Sequence, residues 1–270
     1  MTDSKEVVGE QRVAEATRAQ SLVVRQIAFD RPWEWLAAGW RDLWAYPAIS
    51  FAYGALPTGL GLAIAVALAL FEFGALVPVL AGGFTLIGPL LAVGLYEKSR
   101  LLAEGQTPTF ALTLAKARSS ALRLGLLAAL LLFLYLVWLR IAFMLLALFL
   151  GTRGLPPAQE FTSTLLFTPH GLGLLIVGTA VGGLLAAVGF AATAVSIPLL
   201  MHRHVDAISA IVTSIQTVLT NPKPMALWAA LIAGFTALGI ATLGAGLVVA
   251  FPLVGHATWH AYRDAIDSGP

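Results

Sequence analysis

Apolar positions along this chain fall into long runs, not into the alternation or narrow stripes of a water-soluble domain. A helix needs about 20 mainly apolar residues to cross roughly 30 Å of hydrocarbon. Four stretches meet that need: 47–70, 76–96, 122–150 and 171–200. A further apolar block, 225–259, is too long for one crossing and suffices for two joined by a tight turn at Leu243-Gly244-Ala245-Gly246. The pattern predicts an all-α, polytopic helical bundle with six transmembrane helices.

Between these runs the period changes to that of amphipathic helices. Trp33, Leu36, Trp40 and Trp44 stand at i, i+3, i+7 and i+11, one stripe down one face, with Trp35 on the far side. Ile208, Ile211, Val212, Ile215, Val218 and Leu219 repeat the pattern. Asp30-Arg31-Pro32, Thr107-Pro108 and Asp206 are the expected helix starts. Gly88-Pro89-Leu90-Leu91, Ile197-Pro198-Leu199-Leu200 and Phe251-Pro252-Leu253-Val254 recur near the ends of alternate spans. The chain therefore reads as three hairpin repeats (about 30–104, 105–205 and 206–265), each preceded by a cytoplasmic amphipathic helix. Residues 1–29 form a polar, flexible arm with no signal-peptide pattern.

Composition agrees. The 270 residues are 59% apolar and 11% charged, against about 25% charged in a soluble domain. A net charge of +2 gives no reason to expect nucleic acid, and zero cysteines exclude disulfides and thiolate chemistry. Of the sixteen Lys and Arg residues, fourteen fall on one side of the predicted topology, Arg153 alone on the other, and Arg140 inside a span. By the positive-inside rule both termini are cytoplasmic. The expected location is a bacterial inner membrane, with the lipid bilayer as first partner.

Candidate chemistry is sparse. His256 and His260 share a helix face at i, i+4, and His202 and His204 stand at the same predicted level. They are the candidates for a metal or haem, although HATWH lacks the glutamate of a metalloprotease motif and no third ligand is adjacent. Interfacial hydrogen bonding is the plainer role, and no cofactor is predicted. Arg140 is expected to pair with Glu72 near the outer interface. Trp33, Trp40, Trp44 and Trp259 are expected interfacial anchors, and the Trp33 stripe could instead dock a partner helix. Glycines such as Gly178 and Gly182 suit close helix packing. No phosphate-binding loop, serine triad or carboxylate pair is present.

Asp30-Arg31-Pro32-Trp33, the run Ala38 to Leu43, Gly88-Pro89-Leu90-Leu91 through Glu97, and Phe251 through Arg263 together resemble a family of predicted prokaryotic integral membrane proteins of unknown function. The resemblance extends over about 25–265. Some members carry the label cytochrome c oxidase protein, which implies association with a respiratory complex, since the histidine-rich core of a haem–copper subunit is missing. The expected role is non-catalytic: a scaffold or accessory subunit of a larger complex, a respiratory one being what the resemblance implies. A small-solute transporter or channel and a haem- or metal-binding redox protein are the alternatives.

Overall fold

The computed structural model of the chain describes residues 23–151 and 158–266, which are helical almost throughout. The helices are α1 (Arg31–Trp44), α2 (Pro47–Leu70), α3 (Val77–Leu91), α4 (Val93–Ala103), α5 (Phe110–Leu150), α6 (Ala158–Phe167), α7 (Pro169–Thr193), α8 (Ser196–His202), α9 (Ala207–Thr220), α10 (Pro222–Ala241) and α11 (Leu247–Ala265). No strand is formed among the described residues; Val24 and Ile266 make an isolated antiparallel bridge.

Five segments are long and apolar enough to cross a membrane: α2, α3 with α4, α5, α7 with α8, and α10. The sixth expected span, α11, is 19 residues long, and its C-terminal half is too polar to qualify on composition. The break before it does fall where glycine predicted, with Leu243 and Gly244 at φ +55° and +88°. The Pro-Leu steps act unequally. Pro89 precedes a break at Ala92, Pro198 sits in the first turn of α8 after a break at 194–195, and α11 runs through Pro252.

Two predicted surface helices exist and one does not. Residues 110–121 contain neither proline nor glycine, so nothing interrupts them, and α5 is one helix of 41 residues, roughly 60 Å. Its N-cap is Thr109, whose hydroxyl accepts from Leu112 N–H, not the Thr107-Pro108 pair. Asp206 caps α9 as expected, accepting from Ser209 N–H at 2.9 Å, whereas Asp30 makes no side-chain cap on α1. Residues 97–103, past the predicted span 76–96, are helical and complete α4.

Burial is concentrated at one end of the bundle, hereafter the base. There α4 is buried from Val93 to Ser99 and α8 from Ser196 to Met201. The C-terminal half of α11 closes the same core with Trp259, Tyr262 and Ala265. Both ends of the described chain meet at the base, where Arg25 N–H donates to Ala265 C=O at 2.9 Å. The segment 24–27, expected as part of a loose arm, is thus tied down; residues 1–22 lie outside the described residues.

α11 is the central helix of the base and packs on α1, α2, α4 and α10. Its approach to α2 depends on glycine. Pro252 has no N–H to offer the carbonyl of Val248, and that carbonyl faces Gly54, where an added Cβ would lie 2.2 Å from the oxygen. Gly39 does the same for α1, its missing Cβ leaving room for the backbone of Ala257.

The two amphipathic helices bury different faces: α9 turns its small and polar face inward, whereas α1 buries Trp35, Leu36 and Leu43 together with Ala38 and Gly39. α9 buries Ala210, Thr213, Ser214 and Thr217, with Thr213 and Thr217 hydroxyls donating to carbonyls one turn back. Ile208, Val212 and Leu219 are exposed. In α1 the stripe of Trp33, Trp40 and Trp44 is about half-exposed, while Trp35 is 2% exposed and stacks edge-on to Trp228 of α10 at 5.7 Å. Where the surroundings are hydrocarbon, exposing the apolar face of α9 has no hydrophobic cost, so packing selects its smaller face.

Candidate functional site

The densest polar chemistry lies inside the base, where α1, α2, α4 and α11 meet. Lys98 of α4 is 0% exposed. Its ammonium donates to the carbonyl of Asp42 (2.8 Å) and to Ser50 Oγ (2.5 Å). Ser50 Oγ is 2.9 Å from His256 Nε2, and His256 Nδ1 is 2.8 Å from Ser99 Oγ. His260 Nε2 donates to Asp42 Oδ2 at 2.9 Å. An isolated buried ammonium would be prohibitively costly, which explains why each neighbouring helix supplies it an acceptor or a relay.

The hydrogens in this chain can be assigned by satisfaction, since an ammonium only donates and a carboxylate only accepts. Lys98 donates to Ser50, Ser50 to His256 Nε2, and His256 Nδ1–H to Ser99; the Ser99 hydroxyl then serves the Asp42 carboxylate. The polarity runs one way, from the cation of α4 to the anion of α1, with a neutral imidazole between. Asp42 lies on α1, outside the spans. Burial alone would raise its pKa, but hydrogen bonds from His260 and Ser99 hold it below the usual 3.8.

Further ties fasten the same end. Asp264 of α11 receives a bidentate pair from Arg31 of α1 (2.7 and 2.9 Å) and the indole N–H of Trp35 (2.9 Å). Glu97 holds Arg100 at 2.7 Å and His202 at 3.1 Å. The amide of Asn221 imitates a strand partner: it accepts from Ile27 N–H at 2.7 Å and donates to Arg25 C=O at 2.9 Å.

A serine hydroxyl beside a lysine amine is a known nucleophile–base pairing. Here Ser50, Lys98 and His256 are all 0% exposed, and none of them lines either cavity discussed below. Substrate has no approach to the hydroxyl, so the arrangement joins helices.

The sequence-expected residues are dispersed. His256 and His260 do share a face, but both ring nitrogens of His256 are engaged by serines, which leaves no lone pair for a metal. His202 packs edge-on against Trp259 at 4.7 Å, its Nδ1–H donating to Pro198 C=O at 2.8 Å. His204 is exposed. Among the described residues no three His, Asp or Glu gather as a metal site. Trp259 is 3% exposed, against His202 and Tyr262, so its ring meets protein and not headgroups. Glu72 and Arg140 are both exposed and form no ion pair, because Glu72 is carried on the corner after α2 at φ +66° while Arg140 lies on an outward face of α5. Arg153 lies outside the described residues. The sequence does not single out Asp42, Ser50, Lys98 or Ser99; Lys98 and Ser99 lie just past the apolar run 76–96.

Between α3, α7, α10 and α11 lies a second feature, an apolar cavity of about 640 Å³. Alanine and glycine line much of it, including Gly183 and Ala187 of α7 and Ala229, Ala233 and Ala237 of α10. Of its hydroxyls, Thr85, Thr193 and Thr258 donate to carbonyls of their own helices.

Long apolar helices, a polar core confined to one end and an apolar cavity between span-length helices define a multi-pass helical integral membrane protein. Residues 76–202 match the family described as predicted integral membrane protein (DUF2189), which is of unknown function. Of the stretches that carried the resemblance, Gly88 through Glu97 falls inside this match and the other three fall outside it. No curated protein and no solved structure matches the chain.

Proposed function

We propose that the protein is a non-catalytic accessory or scaffold component of a larger membrane assembly. The observation that carries this reading is the 640 Å³ cavity, which faces small-residue rows on α7 and α10 that nothing among the described residues fills. Gly183 with Ala187, and Ala229 with Ala233 and Ala237, repeat every fourth residue, the spacing by which membrane helices approach closely. The base, by contrast, is fastened by hydrogen bonds across four helices. A rigid base with an open apolar cleft suits reception of an apolar partner helix. The oxidase label borne by some members of the resembling family directs the search toward respiratory complexes. Transport of a polar solute gains little support from an apolar cavity in which the Thr85, Thr193 and Thr258 hydroxyls are engaged by their own helices.

The same reading takes α11 as a sixth crossing and the bundle as three hairpins, with both termini in the cytoplasm of a bacterial cell. Both ends of the described chain lie at the base, which supports an even number of crossings. α11 is about 28 Å long at 1.5 Å per residue, enough for the hydrocarbon. Its low apolarity comes from His256, Thr258 and Asp264, which bond inward.

The test is purification in mild detergent, comparing the native chain with Ala233→Phe. A stoichiometric membrane partner is expected with the native chain and is expected to be lost from the variant, whose thermal unfolding stays native-like. Absence of any such partner from the native preparation would overturn the reading.

A further inference from the structure

A second, polar pocket of about 430 Å³ opens at the base, where α4, α5, the end of α8 and α11 converge. It is lined by five Lys and Arg side chains and one acid, Glu104, which is already engaged by Arg100. Arg100 is in turn shared with Glu97. The remaining cations, Lys116, Arg123, Arg203 and Arg263, have no carboxylate within ion-pair distance among the described residues. Arg123 makes one long contact, 3.5 Å, to the carbonyl of Leu200. The wall adds donors as well. Trp259 is 3% exposed and its indole N–H has no acceptor, and the Tyr262 hydroxyl lies beside Arg203. The pocket is rich in donors and poor in acceptors.

Four uncompensated cations around one concavity repel each other, and low-dielectric walls strengthen that repulsion. An anion relieves it. Guanidinium groups match the oxygens of a phosphate with paired N–H donors, and Lys116 adds a point charge. We propose that this pocket binds a phosphate group, carried either by the headgroup of an anionic phospholipid or by a free phosphate.

Position favours the lipid as the source. Arg123 stands at the start of the apolar run of α5, beside Leu122, which is 96% exposed, and one turn before Leu126 at 52%. The mouth is therefore level with the boundary between water and hydrocarbon, where a phosphodiester lies and where basic pockets between helices hold anionic headgroups. Two acyl chains could run down the exposed leucine face of α5 while the phosphate enters the pocket.

Native mass spectrometry of the full chain in detergent, titrated with phosphatidylglycerol or phosphatidylcholine, tests the proposal. Phosphatidylglycerol is expected to bind at least tenfold more tightly. Lys116→Gln with Arg123→Gln is expected to abolish that preference, whereas Arg118→Gln, which removes an exposed cation outside the pocket on the same helix, preserves it. Arg123→Lys is expected to restore part of it, and thermal unfolding checks that each variant is folded. Competition by inorganic phosphate separates the sources. Displacement of the lipid at equal concentration assigns the pocket to free phosphate, and persistence assigns it to the headgroup. Equal binding of the two lipids with no phosphate binding, or equal loss in the Arg118 and the paired variants, would overturn the proposal.

Discussion

At the scale of single residues, the unequal exposure of Lys98 and Asp42 sets an order of effects. Lys98 has no route to solvent, while the Asp42 side chain is 15% exposed and keeps His260. Asp42→Asn keeps the backbone carbonyl that receives Lys98 but removes the charge facing it and the carboxylate that accepts from His260 and Ser99, and is expected to cost about 2–3 kcal/mol. Lys98→Met strands mainly a serine hydroxyl and should cost about 1–3 kcal/mol. The double variant should cost less than the sum, because the two groups answer each other; thermal or denaturant unfolding in detergent reads all three. Acid has a related effect. Asp42 has a lower pKa folded than unfolded, so its stabilisation is complete above about pH 4 and is lost as pH falls through the folded value. Asp42→Asn should flatten that acid limb of the pH–stability curve. None of this could be seen in the sequence by spacing. Asp42, Ser50, Lys98 and His256 are brought together only by α11 packing on three earlier helices.

At the scale of elements, the apolar runs disclosed the spans because hydrocarbon imposes their length, and the turn at Gly244 because glycine accepts positive φ. The amphipathic stripes of α1 and α9 were also visible, but which face turns inward was not, since that depends on the surrounding medium. The long α5 shows a different gap: a polar N-terminal third suggested a separate helix, yet no residue in it breaks one. Helix contacts rest on glycines that sequence cannot rank. Gly54→Ala places a methyl 2.2 Å from the Val248 oxygen and must push α2 from α11. A loss of about 1–3 kcal/mol is expected. Gly59→Ala, on the same helix with nothing within 4 Å, should be neutral or slightly stabilising. Thermal unfolding of the two variants side by side separates packing from helix propensity.

At the scale of the molecule, the absence of native cysteine offers a clean background for topology. Single-cysteine variants Gln106→Cys, Leu243→Cys and Arg263→Cys, probed with a membrane-impermeant maleimide on intact cells, are expected to label only at position 243. Positions 106 and 263 should react after lysis. Labelling of 243 and 263 from one side would remove α11 as a crossing.

The strap between Val24–Arg25 and Ala265–Ile266, with α1 packed chiefly on α11, also bears on biogenesis. A ribosome delivers the first partner some two hundred residues before the last. Until the final helix emerges, α1 lacks its main seat, and its half-exposed tryptophans can park it on the bilayer surface meanwhile. Chains that stop short of α11 should retain their membrane insertion yet lack a closed base, leaving Ser50 and Ser99 without His256 and giving quality-control proteases an open end to seize.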